Sequence, residues 1–486
     1  MKIDLMRHAL PGEDGIQFPI NGEIQRDYEL HSAWYSGEEE DLERVYAGKP
    51  NSFWGKIKDE GMPKLHVPTA SDLSQTSADL LFSNPPTFTV DDEKTQERLD
   101  QIVEDSGIIN KLLEAGESAS ALGGVFLKPV WDAELADYPI MTIAQADIAL
   151  PHFTLGILRA LDLIRLVAVV DSNGEKEYWR HIERHEPGLI LNGLYKGTKD
   201  KLGKRISLDA HPDTADLQDE IDTGYPGLMV EYVPNVRPNR KFRGSMLGQS
   251  DYAGVESLMD ALDETYTSWI RDVRLARARM MVPESFLEYE KGENPIFDNE
   301  RALYVMMTMD PLTSTGTSSP ITATQFSIRT DEHRQTALEL LDRIITHAGY
   351  SPQTFGLKIE GRAESGTALS VRERKSFSTR DKKWRYWKGP LERILERMLF
   401  IDYIHLGNRE IKVVRPTAEL NKNGDQDFMS MANSIQMLHG AQAISIDTKV
   451  RMLHPDWDEE TILAEIEAIK QENGLSMANP DEIGMA

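Results

Sequence analysis

The sequence predicts an α+β chain in which long helices bracket strand-rich segments, and three observations carry that prediction. Apolar residues step by three and four over two long stretches, 251–280 and 330–348. The middle third alternates with period two around a strong hairpin signal, Asp171-Ser172-Asn173-Gly174. A third helical pattern, 367–404, is rich in cations and rings, although the 486-residue chain carries 80 Asp and Glu against 54 Lys and Arg, a net −26.

Taken in order, residues 1–25 hold Pro11, Gly12, Gly15, Pro19 and Gly22 and read as an irregular arm. Residues 26–46 turn helical, and the acidic run 38–43 reads as a solvated helix face. Pro68 precedes a helix at 70–82 that Asn84-Pro85-Pro86 stops, and a second helix spans 91–115 with Leu99, Ile102, Val103, Ile108, Leu112 and Leu113 as its apolar positions. Residues 123–131 read as a strand entered from a glycine turn. Strands at 163–170 and 177–183 flank the hairpin, strands at 189–195 and 227–233 follow, and 211–222 is a polar, acidic loop.

In the stretch from 251, Val255, Leu258, Met259, Leu262, Tyr266, Trp269, Ile270 and Val273 share one face. Ser250 or Asp251 supplies the N-cap, and Arg271, Arg274, Arg277 and Arg279 crowd the end where the helix dipole favours cations. That helix would hold about 28 residues, roughly 42 Å, and end before Pro283. Strand-like pieces at 285–289 and 303–309 and a Ser/Thr/Gly loop at 313–319 lead to the next helix. There Ala337, Leu338, Leu341, Ile344, Ile345 and Ala348 line one face, with Gly349 and Pro352 as the stop. The insert between the two helices, about 50 residues, has the size of a small subdomain. A polar loop at 356–366, the basic helix, a strand at 411–415 and helices at 428–439 and 458–471 complete the chain, and 475–486 reads as a disordered tail.

Composition and motifs exclude more chemistry than they offer. The absence of cysteine removes disulfides, zinc ribbons, iron–sulfur clusters and thiol nucleophiles, and fits assembly in a reducing compartment. Lys2, Asp4, Arg7 and His8 stand where a secretion signal would be apolar, and the richest apolar stretch, 155–170, is interrupted by Arg159, Asp162 and Arg165, so no membrane partner is expected. Leu5-Met6-Arg7-His8-Ala9 resembles the start of the histidine phosphatases, in which the histidine attacks phosphorus and the arginine binds phosphate. Ala9 replaces the usual glycine, and no later Gly-His pair or second phosphate arginine can be assigned. His181 and His185 lie in an alternating, strand-like stretch and lack a third metal ligand. The stretch 197–205 has one residue too many for a phosphate-binding loop, with Arg205 where the magnesium-binding hydroxyl belongs. Asp171–Glu175 is too short for a calcium loop. The expectation is no cofactor, no metal site and no enzymatic activity.

Between Arg372 and Lys388 there are eight Lys and Arg against two Asp and Glu. Arg372, Arg374, Lys375, Lys382, Lys383 and Arg385, interleaved with Trp384, Tyr386 and Trp387, could contact DNA, cations tracking phosphates while rings stack on bases. They could equally belong to a helix that packs its rings into a core and pairs its cations with carboxylates of this or another subunit. The net charge favours the second reading, because so acidic a protein gains no general affinity for a phosphate backbone.

In order along the chain, Ser77-Ala-Asp-Leu-Leu-Phe-Ser-Asn-Pro-Pro86, Ala121-Leu-Gly-Gly-Val-Phe-Leu-Lys128, Pro226-Gly-Leu-Met-Val-Glu-Tyr-Val-Pro-Asn235, Ser250-Asp-Tyr-Ala-Gly-Val-Glu-Ser-Leu-Met-Asp-Ala-Leu262 and Ser365-Gly-Thr-Ala-Leu369 resemble the portal proteins of tailed bacteriophages, the siphophage type above all. The resemblance runs from about Tyr28 to Gln471. It implies a ring-forming portal fold with long stem helices, a strand-rich clip and wing and a helical crown, twelve copies enclosing a channel for double-stranded DNA. Residues 28–250 would form the wing, 251–280 and 330–349 the stem, 281–329 the clip and 350–366 a tunnel loop with Lys358, Glu360 and Arg362 facing DNA. Residues 367–424 would return to the wing and 425–474 would form the crown, while 1–27 have no family counterpart. Leu258, Leu262, Trp269, Leu338, Leu341 and Ile345 would pack the stem. The implied role is genome packaging and ejection at one capsid vertex and connection of head to tail, in a virion assembled in the host cytoplasm. The implied partners are the terminase large subunit, a head-completion adaptor, and the major capsid and scaffold proteins.

Overall fold

A computed structural model describes residues 10–11, 22–56, 63–172, 174–276, 279–283, 304–307, 322–324, 328–357, 366–421, 432, 434–441, 443–454, 457 and 459–472. The chain divides into two compact units, residues 1–83 with 88–418, and residues 84–87 with 419–486.

The first unit begins with two helices where one was expected. α1 (Gly22–Ser36) and α2 (Glu39–Tyr46) are separated by Gly37 at φ +68°, and a Cβ there would stand 2.5 Å from the His66 ring. α3 (Thr69–Phe82) follows Pro68. After a short strand, β1 (Thr87–Thr89), the single helix expected over 91–115 is again two, α4 (Glu93–Asp105) and α5 (Ile108–Leu122). Asp92 starts α4 by accepting from the Thr95 amide, and Gly107, left-handed at φ 61°, turns the chain between them.

Two antiparallel sheets follow. β2 (Gly124–Val130) lies between β3 (Ile140–Gln145) and β10 (Glu231–Pro234), with Val125 facing Gln145 on one side and Val233 on the other. The larger sheet runs β4 (Ala149–Thr154), β5 (Ile157–Ser172), β6 (Glu175–Glu186), β7 (Leu189–Thr198) and β8 (Lys201–Ile206), with β9 (Glu220–Asp222) beside β7. The β5–β6 hairpin turns at Asp171–Gly174, where the Asp171 carboxylate accepts from the Gly174 amide, and its strands are longer than expected. The stretch 197–205 is the β7–β8 hairpin. The acidic region expected to be a plain loop carries a one-turn helix, α6 (Pro212–Ala215), as well as β9.

The expected 28-residue helix is shorter: α7 (Glu256–Leu275) starts after Gly254, at φ 92°, and the segment Arg279–Pro283 is a strand, β11, rather than its last turn. β11 lies between β12 (Tyr304–Met307), parallel to it, and β13 (Thr322–Thr324), antiparallel. α8 (Thr330–Ala348) ends at Gly349, left-handed at φ 97°. α9 (Gly366–Ile404) is 39 residues long, roughly 58 Å, and continues through Pro390. Residues 411–415 are not a strand; β14 (Thr417–Glu419) comes after them.

The two largest apolar clusters of this unit, among the described residues, gather its helices. One joins α3, α4, α5, β2 and α9 through Phe82, Leu99, Ile102, Leu112, Trp387, Ile394 and Met398. The other joins α1, α2, α7 and α8 through Trp34, Leu42, Trp54, Met259, Leu262, Ile344 and Ile345. In the second unit, Ser445 caps a helix over Ile446–Leu453 that periodicity did not disclose, and its Val450 meets Ile462 and Ile466 of the helix Glu459–Glu472. Residues 434–440 are helical, overlapping the expected 428–439 and running one residue past it.

Candidate functional site

The densest polar contacts of the first unit lie where α7 begins, α8 ends and α9 passes both. α7 and α8 pack side by side, tied at one end by charge and ring stacking. Arg329 donates to Asp272 through Nε at 2.9 Å and Nη2 at 3.1 Å, and His333 Nε2 lies 3.0 Å from the same carboxylate. The His333 ring also stacks on Trp269 at 6.1 Å between centroids and 10° between planes. His333 and Arg329 hold the Asp272 carboxyl below the ordinary carboxylate range.

The other end of the pair is fixed by a buried polar hub. Asp251, expected as the N-cap of α7, instead accepts from Ser120 Oγ at 2.6 Å, Asn235 Nδ2 at 2.9 Å and the Tyr350 hydroxyl at 2.9 Å, and forms an ion pair with Lys383 of α9. Lys383 Nζ also donates to Ser77 Oγ at 2.6 Å and to the Tyr350 hydroxyl at 2.9 Å, so its three protons each have an acceptor. Burial lowers the Lys383 pKa against the pull of Asp251, and raises that of Tyr350 well above 10. The hub joins α3, α5, the start of α7, the end of α8 and the middle of α9. It therefore fixes Tyr350, where the expected tunnel loop begins, against the helix into which that loop returns.

On the opposite face of α7, buried carboxylates hold the chain around Trp54. Asp263 accepts from Trp54 Nε1 at 2.9 Å and the Val67 amide at 2.8 Å, with His66 Nδ1 at 3.0 Å; Asp260 accepts from the amides of Phe53 at 2.7 Å and Trp54 at 3.1 Å. Burial raises the Asp263 pKa despite these partners.

The basic stretch of α9 resolves into two faces. Trp387 is buried, edge-on to Phe82 at 4.9 Å and 82°, and Trp384 is partly buried against the same core. Lys383 is 1 % exposed, which corrects its expected role as a contact for DNA or another subunit. Arg374, Lys375, Lys382 and Arg385 are exposed. Lys375 donates to the Thr346 carbonyl at 2.5 Å, at the end of α8. Arg372 lies in the first turns of α9, and its side chain, with Lys358, Glu360 and Arg362, falls outside the described residues.

Of the residues expected to pack the stem, Leu262 and Ile345 are buried, and Leu258 and Leu341 pack partly against the same cluster. Trp269 is half-buried on His333. Leu338 is 41 % exposed, so within one chain it packs no core. Ile270, Val273 and Leu275 of α7 are also exposed. Past Leu163, β5 pairs with β6 alone among the described residues, so Leu166 to Val170 form an open, apolar sheet edge.

His181 and His185 lie on β6, His181 facing Asn192 Oδ1 at 3.0 Å and His185 facing Glu183 at 2.6 Å. No group of three or more side chains that could hold a metal occurs among the described residues, and none of their helices is long and apolar enough to cross a membrane. Arg7 and His8 fall outside the described residues.

The sequence matches the family described as "Phage portal protein, SPP1 Gp6-like" over residues 26–474. No curated protein matches. Similar solved structures include a chain of the "Virion of native gene transfer agent (GTA) particle", at 9 % identity over 80 % of this chain and 89 % of that one, TM-score 0.42. Another comes from the "Neck of empty GTA particle computed with C6 symmetry", at 10 % identity over 80 % of this chain and 90 % of that one, TM-score 0.43.

Proposed function

Because the chain belongs to the SPP1 Gp6-like family of phage portal proteins, we propose that twelve copies close into a ring at one capsid vertex, enclosing a channel through which double-stranded DNA is packaged and ejected. The ring connects head to tail. The family match over residues 26–474 carries this reading, and the order helix, strand-bearing insert, helix, loop, long helix supports it. In this reading α7 and α8 are the stem, 281–329 the clip, and 350–366 the tunnel loop that presents Lys358, Glu360 and Arg362 to DNA. Residues 28–250 and 367–424 are the wing and 425–474 the crown.

Electrostatics fits a conduit. Duplex DNA carries one negative charge per about 1.7 Å, and a strongly basic lining would hold it through many phosphates and stall its movement. A ring of subunits each at −26 repels the duplex, and sparse cations on a loop make only brief contacts. The chain performs no nucleotide hydrolysis: a terminase large subunit drives DNA and docks on the clip, a head-completion adaptor later takes that surface, and capsid and scaffold proteins surround the wing. Negative-stain images of the purified protein test the reading. It expects rings with a central opening, and a protein that stays monomeric under every condition contradicts it.

A further inference from the structure

A cleft of about 350 Å³ lies between the segment around Val236–Asp251, the end of α8 and the middle of α9. Arg237, Arg240, Lys382 and Arg385 line it, and among the described residues none of the four has a carboxylate partner. Arg240 Nη1 instead donates to His347 Nε2 at 3.5 Å, a partner that carries no negative charge. Arg237 donates to the Met246 sulfur.

The negative groups nearby are already satisfied. Asp251 is surrounded by Lys383, Ser120, Asn235 and Tyr350. At the C-terminal end of α8, where the helix dipole is negative, the Thr346 carbonyl accepts from Lys375 and the Gly349 carbonyl from Thr379 Oγ1 at 2.6 Å. The cleft therefore gathers four cations that have no carboxylate partner among the described residues, in a chain of net charge −26.

We propose that this cleft receives carboxylate side chains of a second copy of the chain, and that the contact helps to close the ring; the inference rests on the ring reading above. Size favours side chains over a duplex. About 350 Å³ admits one or two acidic side chains, whereas a duplex presents its phosphates along a rod too broad to enter. Guanidinium groups match carboxylates in geometry as well as charge. Charge complementarity favours a second copy, because acidic side chains such as the exposed Asp213, Asp216 and Glu220 are what a neighbour of this composition presents most. A cleft on one copy that takes carboxylates from the next makes a head-to-tail contact, the kind that closes into rings.

The test is the full-length double variant Arg240→Glu/Arg385→Glu, with Arg240→Gln/Arg385→Gln beside it, followed by mass photometry over protein concentration at low and high salt. The expected result is that the Glu variant needs at least about tenfold more protein to reach the ring and the Gln variant less, while added salt weakens the wild-type ring in the same direction and the folding midpoint stays unchanged. Rings that form at the wild-type concentration in the Glu variant overturn the proposal. The same rings combined with loss of duplex binding in a gel-shift assay overturn it in favour of DNA. A wild-type chain that never self-associates overturns both the ring reading and this contact, and so is told apart from a failure of the contact alone.

Discussion

Lys383 of α9 and Asp251, 132 residues apart in sequence, form an ion pair in which each side chain is 1 % exposed. A buried pair of this kind does not add much stability in itself, since desolvation offsets most of the attraction. Its consequence is geometric. With both charges buried and each hydrogen-bonded to further groups, the start of α7, Tyr350 at the end of α8 and the middle of α9 have one mutual arrangement in which every polar group is satisfied.

Removing one partner should therefore cost far more than removing both. Lys383→Met is expected to destabilise the protein by about 3–5 kcal/mol because it leaves Asp251 buried and uncompensated. Lys383→Met combined with Asp251→Leu should recover most of that loss. Urea unfolding of the two variants and the wild type measures both, and equal losses in the single and double variants would contradict the pairing.

Asp263→Ala removes the acceptor shared by Trp54 Nε1 and the Val67 amide. Hydrogen bonds to a buried charge are worth about 1.5–3 kcal/mol each, so a loss of about 2–4 kcal/mol is expected. Asp263→Asn, which keeps an acceptor, should lose less. Unfolding followed by tryptophan fluorescence distinguishes them, and an Ala variant within 0.5 kcal/mol of wild type, roughly the scatter of a neutral surface change, would contradict the role.

The contact between Asp272, His333 and Arg329 predicts an acid dependence. The Asp272 carboxyl sits below its ordinary 3.8 in the folded chain, so folding is favoured by its ionisation. That contribution is fully present above pH 3.8 and is lost as the pH falls through the lower folded value. Asp272→Asn should lower Tm at neutral pH and flatten the fall of Tm below about pH 4. An unchanged acid slope in the variant would contradict it.

Gly123, at the end of α5, has φ +82°, and a Cβ there would stand 2.9 Å from the backbone of Gln249. The left-handed conformation alone costs a non-glycine residue about 1–2 kcal/mol, and the clash adds to it. Gly123→Ala should lower the urea midpoint, whereas Gly48→Ala, also left-handed but with open space around it, should show the conformational cost alone.

What was legible in the sequence was mostly local. The hairpin at Asp171–Gly174, the stop at Gly349 and the extent of α9 follow from residues next to one another. Breaks inside a continuing apolar pattern were not legible: Leu99, Ile102 and Val103 before Gly107, and Ile108, Leu112 and Leu113 after it, each step like one helix, although Gly107 turns the chain between them. The start of α7 was misread because Asp251 has the right chemistry for an N-cap, yet its partner comes from α9. Asp260 and Asp263 stand among apolar residues on α7, where a sequence alone does not reveal that three backbone amides and an indole N–H, 196 to 209 residues away, complete them. The basic stretch of α9 held both readings at once, Trp387 and Lys383 in the core and Lys382 and Arg385 outside.

The most direct measurement is a cryo-EM reconstruction of the purified protein with its copy number counted. A ring of twelve 54.9 kDa chains, with α7 and α8 of every copy surrounding a central opening, is the predicted result. Paired helices directed outward into solvent, with no opening on the symmetry axis, would contradict it.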